Sequence, residues 1–207
     1  MIEMMEKVEM AARQFYADHG PNSWLDHIVP VMDRVKQLHR PHYAPKTSLI
    51  AAAFHDCAKR VFGAEDHARK SAQIAEPVIR LLAQQSKEDT VTEDDIRIIL
   101  EAISLHDSNL ITFPTICAAD LAAADANPPE LKFMVEKSIR WGRNHGLSPE
   151  QIAENTLTHL KEKYGSGGWF HWPERYRALW GARVDHCIET IDYLTKSDVR
   201  RFVDQVI

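Results

Sequence analysis

Cysteine is scarce in this chain: Cys57, Cys117 and Cys187 are the only three in 207 residues, widely spaced and with no CxxC pair. An odd, dispersed set excludes a disulfide framework and suits a reducing compartment, so a cytoplasmic location is expected. Long apolar runs are missing as well. Stretches such as residues 49–54 fall far short of the roughly 20 residues that cross a bilayer. The first ten residues mix charges with apolar side chains and contain no apolar core of a signal peptide, so no membrane association is expected. There is no cationic excess, with 25 Lys+Arg against 30 Asp+Glu and a net charge of -5. Without a basic block the chain is not expected to grip a nucleic-acid duplex, although one local cationic pocket would serve a nucleotide-sized anion. Strand-like alternation is absent too.

What is present is helical period throughout. The spacing predicts helices over about 2–17, about 23–38, 46–57, 66–84 with Pro77 as an expected kink, and 92–106. Further helices are expected from Pro114 to near Asp125, over 130–145, from Ser148 to Tyr164, and over 173–194 with a short terminal one. Thr92 with Asp95, and Ser148-Pro149-Glu150-Gln151, are helix starts with their own caps. Gly165-Ser166-Gly167-Gly168 is the one flexible stretch. A hydrophobic fraction of 44% is enough to bury a core without staples. The expectation is an all-α, single-domain helical bundle over 1–207, with a functional core at about 22–125 and a helical extension at about 129–207.

The chain carries 11 histidines, many for its size. Several ionisable residues stand on apolar helix faces, where a lone charge is costly unless it is paired or bound to metal. His27 lies between Trp24 and Val31; Asp56 is one and two turns beyond Ala52 and Leu49, with His55 beside it. His67 opens a stripe through Ser71, Ile74 and Val78; His106 continues Ile96, Ile99 and Ile103; Asp120 sits between Ile116 and Ala124. Singly, each reads as a hydrogen-bonded core residue. Consecutive helices each offering an imidazole or carboxylate inward read better as a metal site within a bundle. That ligand mix suits a divalent first-row ion: Fe, Mn, Ni, Co or Zn.

The segments LDHIVPVMDRV, AAAFHDCAK, DHARKSAQIA, EAISLHD and CAADLAAADA hold these residues in order. Over about the first 125 residues the chain resembles the HD-domain superfamily of metal-dependent phosphohydrolases. Locally it is similar to bacterial symmetrical dinucleoside-tetraphosphate hydrolases, departing from them after Asp120 at LAAADANPPE. The resemblance implies that His27, His55, Asp56 and Asp120 bind one ion. It also implies that His67 and His106 can hold a second ion, bridged by Asp56, so that one or two ions are expected.

The implied activity is hydrolysis of a phosphate ester or anhydride, with a small phosphorylated, nucleotide-like substrate and Asp56 and Lys59 as catalytic groups. Lys59, one turn beyond the HD pair, would meet phosphate, or else the helix dipole. Lys70 and Arg69 are further phosphate candidates, with the solvated face of a surface helix the favoured reading for Arg69. Asp107 would orient His106, support another ligand from behind, or cap a loop. Cys57 reads as a small core residue. Trp169, Trp172 and Trp180 would stack on a base or close a bundle end. Two other classes share the pattern, a di-iron oxygenase and a non-catalytic nucleotide-binding module, and a homodimer is left open.

Overall fold

The computed structural model describes residues 2–206 except 21, 40–41, 64, 86–90, 109, 111, 127–130, 169, 171 and 173. Among the described residues every regular element is helical. None of these helices is long and apolar enough to cross a membrane. Where the sequence suggests one domain, the chain groups into two compact units, residues 1–126 with 173–175, and residues 127–172 with 176–207. The division falls where the expected functional core ends, and each part buries an apolar core of its own.

The first unit holds α1 (Ile2–Arg13), a π-helical turn (Trp24–Ile28) running directly into α2 (Val29–Leu38), and α3 (Lys46–Phe54). It continues through the short α4 (Lys59–Phe62), α5 (His67–Gln85), α6 (Glu93–Leu105) and α7 (Ile116–Asp125). α3 lies at the centre, packed against α1, α2, α6 and α7. Its Ala51, Ala52 and Ala53 are wholly buried, and small side chains are what let neighbouring helices approach on every side. α7 is built alike, with Ala118, Ala123 and Ala124 buried. Phe54, Ile28, Ile50, Ile99, Ile103 and Leu121 fill the spaces between.

The caps explain the boundaries. Thr92 and Asp95 form a reciprocal box at α6, as their spacing predicts. Thr115 rather than Pro114 opens α7, its hydroxyl accepting from the Ala118 N–H, so that helix begins two residues later than expected. α5 continues unbroken through Pro77, which lies on its exposed face. α3 stops at Phe54, three residues before the expected end, and residues 55–58 turn instead. This early stop positions the HD pair.

The second unit holds α8 (Leu131–Asn144), α9 (Pro149–Tyr164), α10 (Glu174–Tyr193) from Tyr176 onward, and α11 (Lys196–Val206). α8, α9 and α11 pack mutually around Val135, Ile139, Ile152, Leu160, Val199 and Val203. Ser148 and Gln151 cap α9 reciprocally. α10 is interrupted at Trp180, whose φ of -124° and ψ of 19° are not helical. Trp172, Tyr176 and Trp180 form a chain of ring contacts with Tyr164 and Phe170; Trp169 lies outside the described residues.

Candidate metal centre

The groups that converge stand at helix ends in the first unit. His27 sits in the π-helical turn, where the N–H groups of both His27 and Ile28 reach the Ser23 carbonyl at 3.1 Å. Single π turns are frequent at functional sites because the wider turn re-aims a side chain. His55 and Asp56 follow α3 immediately, His67 begins α5, His106 caps α6, and Asp125 is the last residue of α7.

The turn carrying His55 and Asp56 is pinned from two sides. Tyr16, fully inside, donates its hydroxyl to the Ala53 carbonyl at 3.0 Å and accepts from the Asp56 N–H. From α5, the Ser71 hydroxyl accepts from the Ala58 N–H at 3.0 Å. Both contacts satisfy backbone groups that the early end of α3 leaves without helical partners.

Two imidazoles are fixed by their own helices. Nδ1 of His55 donates to the Ala52 carbonyl at 2.8 Å, and Nδ1 of His106 donates to the Ile103 carbonyl at 2.7 Å. A carbonyl only accepts, so the Nδ1 atoms carry the protons and the Nε2 atoms face the cluster, the arrangement of a histidine held ready as a ligand.

At the cluster, Nε2 of His27 lies 3.1 Å from Nε2 of His55, and the two nitrogens lie 3.3 and 3.4 Å from Oδ1 of Asp125. Nε2 of His67 lies 3.2 Å from Nε2 of His106. Asp56 stands between the pairs: Oδ2 is 3.3 Å from His27, and Oδ1 is 3.1 Å from His67 and 3.4 Å from His106. Lys59 places its ammonium 2.9 Å from Oδ2 of Asp56.

The residues fit a cation. Asp56 Oδ1 is buried and receives no hydrogen bond, a costly state for a carboxylate oxygen. The electrostatics agree. Burial pushes the His27 imidazole down, yet bonds to Asp125 and Asp56 outweigh it and raise the group to about 9. His106 and Lys59 are likewise raised against their burial, by Asp56 and Asp125. Both carboxyls are held well below the usual range despite burial, by the imidazoles that surround them. His55 itself, wholly buried, is pushed down. The pocket therefore draws positive charge, and its nitrogen and oxygen donors match a first-row divalent ion.

Access is one-sided. The side chains of His27, Lys59 and Asp125 are 23%, 23% and 19% exposed, whereas those of His55, Asp56 and His106 are at 0%. Among the described residues of the centre, His27, Lys59 and Asp125 form the edge that meets solvent.

Five of the six expected ligands, His27, His55, Asp56, His67 and His106, meet here. Asp120 does not. Its Oδ2 accepts from the Ser48 hydroxyl at 2.7 Å and faces Nε2 of His39 at 2.7 Å, bolting α7 to α3 and to the end of α2. Asp125 takes the expected place, because five residues turn an α-helix by about 140° and present a different face. Arg34 braces that end of α7 by donating to the Ala124 carbonyl.

The other candidates stand outside the cluster. Lys70 is not part of the cluster: it donates to the Glu65 carbonyl and lies over the Phe62 ring. Arg69 pairs with Asp66 on the surface. Asp107 lies beside His67, at 3.8 Å from Nδ1, rather than orienting His106. The Cys57 thiol, pushed up to about 12 by burial, stays protonated and is a core residue, as expected. Tyr16 and Asp125 are the participants that sequence reasoning missed. Asp125 was visible as the second aspartate of CAADLAAADA, whereas nothing in the helical pattern singled out Tyr16. No protein-family model, no curated protein and no solved structure matches the chain.

Proposed function

We propose that the first unit is an HD-type centre for two divalent ions, and that the chain hydrolyses a phosphate ester or anhydride of a nucleotide-like substrate. One observation carries this reading: a single buried carboxylate, Asp56, offers its two oxygens to two separate histidine pairs. His27, His55, Asp56 and Asp125 would hold one ion, and Asp56, His67 and His106 the other. When bound, such ions supply a hydroxide-like water near neutral pH and offset phosphate charge.

The chain's own residues do the rest. The Ala52 and Ile103 carbonyls keep His55 and His106 in one tautomer, so neither ring has to reorganise. Lys59 holds an ammonium at the accessible edge, where an anionic phosphoryl group would arrive and negative charge would grow.

Protein purified without chelator is expected to carry about two first-row ions per chain. It should release phosphate from nucleotide esters or anhydrides and consume no oxygen. Asp56→Ala is expected to lose both ions and all turnover; full activity in that variant would end the proposal. Oxygen uptake with iron and no phosphate release would assign the ligands to an oxygenase. Nucleotide binding without turnover in Mn, Fe, Co, Ni and Zn would leave a binding module.

A further inference from the structure

The turn that follows α1 touches two parts of the accessible ligand set (His27, His55, Asp56 and Asp125) and contributes no ligand to it. On one side it meets the end of α3. Phe15 sets its ring edge-on to that of Phe54, the last residue of α3, at 6.2 Å. Tyr16, the next residue, donates its hydroxyl to the Ala53 carbonyl at 3.0 Å. A carbonyl so near a helix end has no helical partner of its own, so this bond fixes where the HD turn begins. On its other side the same turn holds the start of the π-helical turn. The Ala17 carbonyl accepts from the Trp24 N–H at 2.8 Å, and the Asp18 carbonyl accepts from the Leu25 N–H at 3.0 Å. The Tyr16 ring lies against the buried Trp24 ring, with centroids 6.0 Å apart. Asp26, beside His27, accepts from the Gly20 N–H at 2.8 Å.

His55 and Asp56 are neighbours in sequence, so the chain itself limits their spacing. His27 comes 28 residues earlier and has no such tie. We propose that Tyr16 is a positioning residue of the metal centre: it joins the His27 turn to the HD turn, holds the 3.1 Å separation of the His27 and His55 Nε2 atoms, and thereby sets the affinity for the accessible ion alone. His67 and His106 come from α5 and α6. The HD turn keeps its separate bond to that side, from the Ala58 N–H to the Ser71 hydroxyl of α5, when Tyr16 is changed. Within Tyr16 the hydroxyl carries the role. A phenylalanine would fill the same space and keep the ring against Trp24, but it would leave the buried Ala53 carbonyl unpaired and the HD turn free to shift. The inference rests on the two-ion reading of the centre and adds to it a residue that touches neither ion nor substrate.

The test titrates Co(II) into the metal-free full chain and resolves the two binding steps by calorimetry, the accessible step being the one that Asp125→Ala removes. Tyr16→Phe is expected to weaken that step roughly tenfold, the low end of the 10–100-fold an outer partner carries, and to leave the other step within about twofold. Thermal melts of the metal-free chain report on the fold separately. A tyrosine with a merely structural role would lower the melting temperature and shift both steps alike or neither. Trp24→Phe loosens the ring contact and keeps the hydroxyl, so it should weaken the same step by less; it serves as the test if Tyr16→Phe does not fold. Two parent steps that the variants shift equally, or not at all, would overturn the role of Tyr16 and leave the centre standing. A parent chain that takes up no ion would overturn the centre itself, and the role of Tyr16 with it.

Discussion

The two histidine pairs of the centre are built to the same spacing, 3.1 Å for His27–His55 and 3.2 Å for His67–His106, yet they differ in charge and access. The first pair faces Asp125 as well as Asp56 and opens to solvent through side chains about one-fifth exposed. The second has Asp56 as its near carboxylate, at 3.1 and 3.4 Å, with Asp125 acting on His106 from farther off, and it is sealed, with the His67 and His106 side chains 4% and 0% exposed. An ion on the open side would therefore meet two near carboxylates, and an ion on the closed side a share of one. Affinity follows ligand charge, so the open side should fill first and the closed side should empty first under a chelator. On the proposed reading, exchange with substrate would fall to the open side, and the closed side would hold Asp56 in place.

The largest effect that would break this asymmetry is removal of Asp125. Asp125→Ala is expected to cost the open side at least a hundredfold in metal affinity, beyond the 10–100-fold typical of an outer partner, with turnover lost in parallel. Asp120→Asn is the contrast. It disturbs the bonds to Ser48 and His39, so it should lower stability by about 1.5–3 kcal/mol while metal content stays at the parent level. Elemental analysis and thermal melts on the two variants separate the roles. If Asp120→Asn also lost its metal, the assignment of Asp125 would fall.

His67→Ala probes the other side. It should leave about one ion per chain and bring the chelator response to a single step, because His106 and one oxygen of Asp56 make too few ligands alone. A smaller, graded effect comes from pH. In the metal-free centre His27 is raised to about 9, so it carries a proton at neutral pH that must leave when an ion takes its Nε2. Open-side affinity should therefore climb with pH by up to about tenfold per unit and level off above pH 9. Metal titrations between about pH 7 and 9 in buffers of differing protonation enthalpy would show the released proton. A flat profile would mean that His27 is not a ligand.

Much of this was legible in the sequence, and the failures have physical reasons. His27, His67 and His106 each interrupt an otherwise apolar stripe, which is why periodicity found them. Thr92–Asp95 and Ser148–Gln151 announce their helices because a cap is a local contact between near neighbours. α7 defeats the same logic. Cys117, Ala118, Asp120, Leu121, Ala122, Ala123 and Ala124 are all buried, so the helix has no polar face against which to judge which aspartate points at the site. Tyr16 was invisible for a different reason: its partners, Ala53 and the Asp56 backbone, lie some forty residues along the chain. The π turn at His27 likewise reflects how Ser23 takes up two N–H groups, and no period encodes that.

The finest distinction between the two sides is Lys59, which lies against Oδ2 of Asp56, the oxygen shared with His27, and has no counterpart at Oδ1. In the metal-free centre its ammonium competes with an ion for that oxygen. Burial pushes Lys59 down, but Asp56 and Asp125 outweigh it and hold the group charged. Lys59→Met keeps the length and apolar stem and removes the charge. Open-side metal affinity should then stay level or rise by a few-fold, since a competing cation is gone, while turnover falls by roughly 10–100-fold through loss of a donor to the growing phosphate charge. A purely structural role for Lys59 predicts the reverse pairing, with weaker metal binding and turnover falling only as far as occupancy does. Measuring turnover at saturating metal beside the metal titration separates the two, and an unchanged rate would remove Lys59 from the chemistry.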